Sequence, residues 1–211
     1  MLASTACLHA AEMKKLGARP GSKLRMEGTS SLHDWTVESK IIGGFLEVGP
    51  NFPTEPGQSV QPGKVEARGT ASITVRSLQS IKDDGSPYSD KMDGIMWDKL
   101  KVTTQPRIEY HLSELVLKEA AKSKDAPYLF DSKGELVVGG VTNTIAMPVK
   151  VTPMADKKIK IVGAVPVKMS DYKVEPATIG GGIFKTGDEV KLSFEWVVAP
   201  SPSAAPAAAA K

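Results

Sequence analysis

The chain is a succession of short alternating segments, and the clearest of them is the stretch 134–151 (GELVVGGVTNTIAMPVKV). Leu136 and Val138 share one parity before its centre, and Ile145, Met147, Val149 and Val151 share one after it. A period of two marks half-buried strands. Gly139, Gly140 and Asn143 lie between and tolerate positive φ, so the stretch predicts a β-hairpin. Pro148 falls on the opposite parity and has no N–H, which predicts imperfect pairing of the second strand, at an edge or a bulge.

The alternation recurs on both sides of this hairpin. Strands are expected over 23–28, 32–39 and 41–48, with Trp35 and Val37 on one parity of the second. Residues 49–63 hold four prolines and three glycines and read as a loop. Over 64–77, Val65, Ala67, Ala71, Ile73 and Val75 face one way, while Glu66, Arg68, Thr70, Ser72, Thr74 and Arg76 face the other. Later strands carry Ile108, Tyr110 and Leu112, then Ile159, Ile161, Val165, Val167 and Met169, and finally Val190, Leu192, Phe194, Trp196 and Val198.

Only once does the period change. Met92, Ile95, Met96 and Leu100 recur at helical spacing and predict a short amphipathic helix over 89–100, with Ser86 and Pro87 as its start. Gly94 costs it ~1 kcal/mol relative to alanine, so the helix depends on packing. A polar loop is expected over 119–126 and a turn at Gly180, Gly181 and Gly182. About nine strands with one helix make the fold class all-β, an antiparallel barrel.

A length of 211 residues suits one domain with a sizeable core. The chain divides into a leader or truncated signal segment over 1–22, the barrel domain over 23–198 and a disordered Pro/Ala-rich tail over 199–211. Residues 1–12 (MLASTACLHAAE) resemble the end of a secretory signal peptide but lack its charged start. A truncated signal and a plain disordered N-terminus are equal readings. The first places the protein in the periplasm or outside the cell. Ala6 before Cys7 is a weak match to a lipoprotein attachment site.

Charge and chemistry narrow the function. The 27 Lys and Arg against 24 Asp and Glu, a net +3, are mixed along the chain as a solvated surface and form no nucleic-acid stripe. Cys7 is the single cysteine and there are three histidines, so neither a disulfide framework nor a Cys/His metal cluster is expected. No stretch approaches the ~20 apolar residues of a membrane span. His33 and Asp34 are adjacent in a strand and point to opposite faces, which excludes the His–Asp contact of a triad. His111 falls on a polar parity. The glycine triplet lacks the lysine of a phosphate loop, and Asp83, Asp84, Asp90 and Asp93 lack calcium-loop spacing. The expectation is a protein without catalytic residues, metal or cofactor.

A small barrel either fills with side chains or encloses a ligand. Ala67, Gly69, Ala71 and Gly163 on the inward parities would leave space along the axis, which favours a cavity.

Several motifs, in their order along the chain, resemble the YceI-like family of lipocalin-like, polyisoprenoid-binding barrels. They are Ser31-Leu32-His33 before Gly44-Phe45, the helical patch leading to Pro106, Ile108 and Tyr110, and the hairpin with Gly140-Val141-Thr142. Asp171-Tyr172 and the run from Asp188 to Trp196 complete them. The resemblance covers roughly residues 23–198. It implies a non-enzymatic barrel that transports, stores or sequesters a long-chain isoprenoid, an isoprenoid quinone or a similar amphiphilic lipid. Inward parity then nominates Trp35, Val37, Ala71, Ile73, Ile108, Tyr110, Leu136, Val138, Met147, Val165, Leu192 and Phe194 as ligand-binding residues. Met92 and Met96 join them from the helix, which reads as a lid because methionine packs adaptably. The alternative is a structural or protein-interaction barrel with a filled core. A homodimer is left open.

Overall fold

A computed structural model describes residues 13–179 and 183–200. The expectations for the signal, for Cys7, for the glycine triplet and for the tail beyond Pro200 lie outside the described residues.

In chain order the strands are β1 (Lys14–Ala18), β2 (Lys23–Ser30), β3 (Trp35–Ser39), β4 (Gly43–Val48), β5 (Gly63–Val65), β6 (Ala67–Thr74) and β7 (Gln79–Ile81). The single α-helix among the described residues, α1 (Asp90–Lys99), follows. Then come β8 (Arg107–Glu119), β9 (Tyr128–Val138), β10 (Val141–Pro153), β11 (Ile159–Lys168), β12 (Thr178–Ile179) and β13 (Phe184–Pro200). All pairings are antiparallel. The ring β1-β4-β6-β8-β9-β10-β11-β13 closes through β1 on β13, giving an eight-stranded barrel without a free edge at that level.

More strands are present than eight because three staves are kinked and because two short strands, β5 on β8 and β12 on β13, stand beside the ring. β1 and β2 form one stave, broken at residues 19–22, and β3 and β4 form its hairpin partner, broken at residues 40–42. Leu16 pairs with Leu46 on one side of the kink and Leu24 with Ser39 on the other. The third stave, β6 and β7, breaks at a 3₁₀ turn over Val75–Ser77. The run 64–77, which sequence parity makes continuous, is divided at Glu66 into β5 and β6 and ends in that turn.

β1 places Lys14–Ala18, which the sequence alone assigns to a leader or truncated signal segment over 1–22, within the barrel. Its segment KKLGA has one fully buried residue, Leu16, which is 1% exposed. Its strand state comes from distant partners, Leu16 opposite both Leu46 and Pro200, and local alternation is too short to show it. At the other end β13 continues through Ala199 and Pro200, two residues beyond the expected domain boundary, because β1 pairs with them.

The hairpin of β9 and β10 turns in two residues. Val138 pairs with Val141, and Gly139 and Gly140 have φ of 57° and 83°, the positive values a type I′ turn requires. Asn143 is not part of the reversal: it pairs with Leu136 within the ladder, and its side-chain amide donates to the Asp171 carbonyl at 2.8 Å. Pro148 pairs in unbroken register with Asp131 of β9, while on the other side the ladder to β11 covers only Val149–Pro153. Beyond it, β10 keeps only β9 and β11 keeps only β13. Pro148 and Pro166 flank this split, and each removes an N–H that a continued ladder would use.

Helix α1 begins at Ser89, whose hydroxyl accepts the Met92 N–H at 3.4 Å, and not at Ser86 and Pro87. Residues 82–88 instead fold back on β7, with the Tyr88 N–H donating to the Ser80 carbonyl and Pro87 bridging Ile81. Two bonds then fasten the helix to that stave: the Asp93 carboxylate accepts the Ser80 N–H at 2.7 Å, and the Trp97 indole donates to the Leu78 carbonyl at 2.9 Å.

Candidate functional site

The barrel encloses an apolar cavity of about 1130 Å³. That is at or above the upper end of the roughly 300–1,000 Å³ usual for small-molecule pockets. Every residue nominated by parity borders it. Trp35, Val37, Ala71 and Ile73 stand on β3 and β6; Ile108, Tyr110, Leu136 and Val138 on β8 and β9; Met147, Val165, Leu192 and Phe194 on β10, β11 and β13. Met92 and Met96, with Ile95, present the face of α1 to the same space. These three are half-buried, whereas the fully buried residue of the helix is the polar Asp93.

Small residues are not the whole source of this space. A Cβ at Gly163 would lie 2.7 Å from the Phe194 ring, and one at Gly134 would lie 2.6 Å from the Tyr110 ring. Trp35 likewise occupies the place of a Cβ on Gly28. In each pair an aromatic ring on a neighbouring strand has taken the room the glycine left. At Gly69 the carbonyl of Phe45 stands 2.5 Å from where a Cβ would be, so that glycine admits backbone. The expectation that Gly69 and Gly163 leave void along the axis is therefore corrected, and the cavity comes from the width of the closed ring.

One end of the barrel has a floor. Register puts Trp196, Ile161, Val151 and Tyr128 on one level. Phe52, from the proline-rich loop after β4, plugs this end, stacked on Phe130 with ring centroids 5.8 Å apart. The Tyr128 hydroxyl pins the same loop by donating to the Gln58 carbonyl at 2.6 Å. Loop composition concealed Phe52, since its alternation has no strand to belong to. The other end opens between α1, the β2–β3 turn, the segment 82–89 and the residues around Lys168 and Lys185.

Few polar groups face the interior. Ser132 is buried and donates to the Met147 carbonyl at 3.2 Å, and it accepts from the Tyr110 hydroxyl at 3.4 Å. Burial raises the Tyr110 pKa above its ordinary value, with the bond to Ser132 working the other way. Parity along β9 (Tyr128, Phe130, Ser132, Gly134, Leu136) carried the signal for Ser132, masked by its polarity. The Trp196 indole N–H is buried without a partner among the described residues.

Neither histidine joins a catalytic arrangement among the described residues. His33 Nδ1 lies 2.6 Å from the Asp34 carbonyl and Nε2 3.2 Å from the Tyr88 hydroxyl, in an exposed turn at the mouth. His111 Nδ1 lies 3.1 Å from the Thr70 hydroxyl on the barrel exterior, with Glu109 3.2 Å from Nε2. No three His, Cys, Asp or Glu side chains converge among the described residues.

The profile of the YceI-like domain matches residues 24–198. The chain belongs to the YceI-like family. None of the curated proteins matches its sequence. Among solved structures, BcnA of Burkholderia cenocepacia superposes with a TM-score of 0.59 at 18% identity, covering 83% of this chain and 95% of BcnA. A polyisoprenoid-binding domain from Saccharophagus degradans, described as implicated in plant cell wall breakdown, gives 0.62 at 15% identity, covering 90% and 100%. At such identities the likeness is one of fold. Within the described residues, no helix is long and apolar enough to cross a membrane.

Proposed function

We propose that the protein binds a long-chain isoprenoid, an isoprenoid quinone or a similar amphiphilic lipid inside the barrel, without covalent chemistry, for transport, storage or sequestration. The observation that carries this reading is the large apolar cavity, floored by Phe52 and open at one end. Each methylene buried there contributes ~0.8 kcal/mol, so affinity comes from chain length and needs no polar motif. The lipid chain lies along Leu192, Met147 and Ile108 toward the floor, and the polar head remains at the mouth beside His33 and Tyr88. A barrel filled by its own side chains would lack such a volume, which weighs against a purely structural role. Membership of the YceI-like family, and the polyisoprenoid-binding description of the Saccharophagus domain, support the choice of lipid class. The family also supports a periplasmic or secreted location.

Native mass spectrometry of freshly purified protein tests the proposal. A bound lipid of defined mass is expected. A clean apo mass after gentle purification from lipid-containing cells, together with failure to take up added isoprenoid, would overturn it.

A further inference from the structure

We propose that the rim of the cavity is a membrane-docking surface, fitted to a bilayer containing anionic phospholipid. Only the purpose of docking, lipid exchange, rests on the cavity reading above. Five large hydrophobic side chains stand exposed among the described residues: Leu32, Ile41, Tyr88, Ile183 and Phe184. Four of them are at the mouth. Leu32, Tyr88 and Phe184 border the opening, and Ile183, 73% exposed, precedes Phe184. Scattered single exposures are ordinary on a protein surface, whereas a cluster around one opening marks a contact surface.

The cluster is built, although its parts are far apart in sequence. The Ser31 N–H donates to the Lys185 carbonyl at 2.9 Å, and the Lys185 N–H donates to the Ser31 hydroxyl at 3.0 Å. The His33 and Tyr88 rings meet edge to face with centroids 5.7 Å apart. Leu32, Tyr88 and Phe184 are thus carried by one connected set of turns.

Charge selects the partner. Lys82, Lys91, Lys168 and Lys185 also border the mouth, and none is in an ion pair among the described residues. The acidic groups there are Asp34 and Asp83, with Asp84 near Lys82, Asp188 near Lys168, Glu175 paired to Lys99 at 3.1 Å and Asp93 buried against Ser80. Long lysine side chains interspersed with aromatic and aliphatic ones suit the headgroup region, where the stems lie in apolar surroundings and the ammonium groups reach phosphate. Lysine is depleted in protein–protein interfaces, which disfavours a protein partner at this rim. Docking by the rim also lets an apolar chain pass from bilayer to cavity without crossing water.

Vesicle flotation of the full chain tests this, using vesicles of phosphatidylcholine alone and of phosphatidylcholine with one quarter phosphatidylglycerol. The protein is expected to float with the anionic vesicles. Leu32→Glu with Ile183→Glu should weaken that binding at least tenfold. Ile41→Glu, an equally exposed site away from the mouth, should leave it unchanged. Lys82→Glu with Lys168→Glu should abolish the preference for phosphatidylglycerol. Thermal unfolding of each variant separates lost docking from lost fold. Absence of flotation with either vesicle, or equal loss from Ile41→Glu, overturns the proposal. So does a Leu32/Ile183 variant that floats normally but loses self-association in sedimentation, which would assign the rim to a second copy of the chain. Native mass spectra on the same samples keep the two readings apart: an empty protein that floats removes the cavity ligand alone, and a loaded protein that does not float removes docking alone.

Discussion

The Asp93 carboxylate, on the buried side of α1, accepts the backbone N–H of Ser80 on β7 at 2.7 Å. This bond fastens the helix that covers one flank of the mouth. Asp93→Ala leaves the Ser80 N–H without its partner and should cost about 1–3 kcal/mol in urea unfolding. Asp93→Asn retains an acceptor and should lose less. Faster amide exchange at Ser80 in Asp93→Ala, with little change at the β9–β10 hairpin, would locate the effect at the helix.

Met96 lies on the cavity side of α1 and is half-buried. Met96→Asp should lower lipid affinity at least tenfold, ~1.4 kcal/mol, while the cooperative unfolding of the barrel stays nearly intact. Binding titration and urea unfolding on the one variant check this. A destabilised protein whose folded fraction binds lipid normally would show that α1 serves the core and is no lid.

Leu192 pairs with Val165 and Met26 and borders the cavity, while its neighbour Lys191 points outward, 3.6 Å from Glu27. Leu192→Lys puts an ammonium group among apolar side chains and should cost about 2 kcal/mol or more, with loss of lipid. Lys191→Leu removes an exposed ion pair and should change stability by less than about 1 kcal/mol. Equal losses in unfolding experiments would overturn the assigned faces.

Gly163 accommodates the Phe194 ring, with an added Cβ reaching 2.7 Å from it. Gly163→Ala should therefore destabilise the barrel by about 1–3 kcal/mol through overpacking. Combining it with Phe194→Leu should recover much of that loss, since the two sites share the same space. Additive losses in the double variant would show that the ring can move aside freely.

The sequence by itself determined which side of each strand faces inward. Alternation is a property of two or three residues and their solvent, so Ile108, Leu136, Met147 and Leu192 could be placed on the wall without knowledge of any partner. The two-residue turn at Gly139 and Gly140 was equally local, since positive φ is a cost borne by the residue itself. Helix α1 was legible from its spacing, but its cap at Ser89 was not, because the preceding residues prefer a hairpin return onto β7. What joins distant segments had to come from the tertiary structure. β1 is a strand because Leu16 lies between Leu46 and Pro200, some thirty and nearly two hundred residues away. The kinks that divide three staves, and the split between β10 and β11, depend on ring closure and on which strand each segment pairs with. Whether glycines leave void or receive a neighbour's ring is likewise a matter of packing between strands. The cavity is a consequence of eight staves closing at one circumference, a relation among all of them that no single segment encodes.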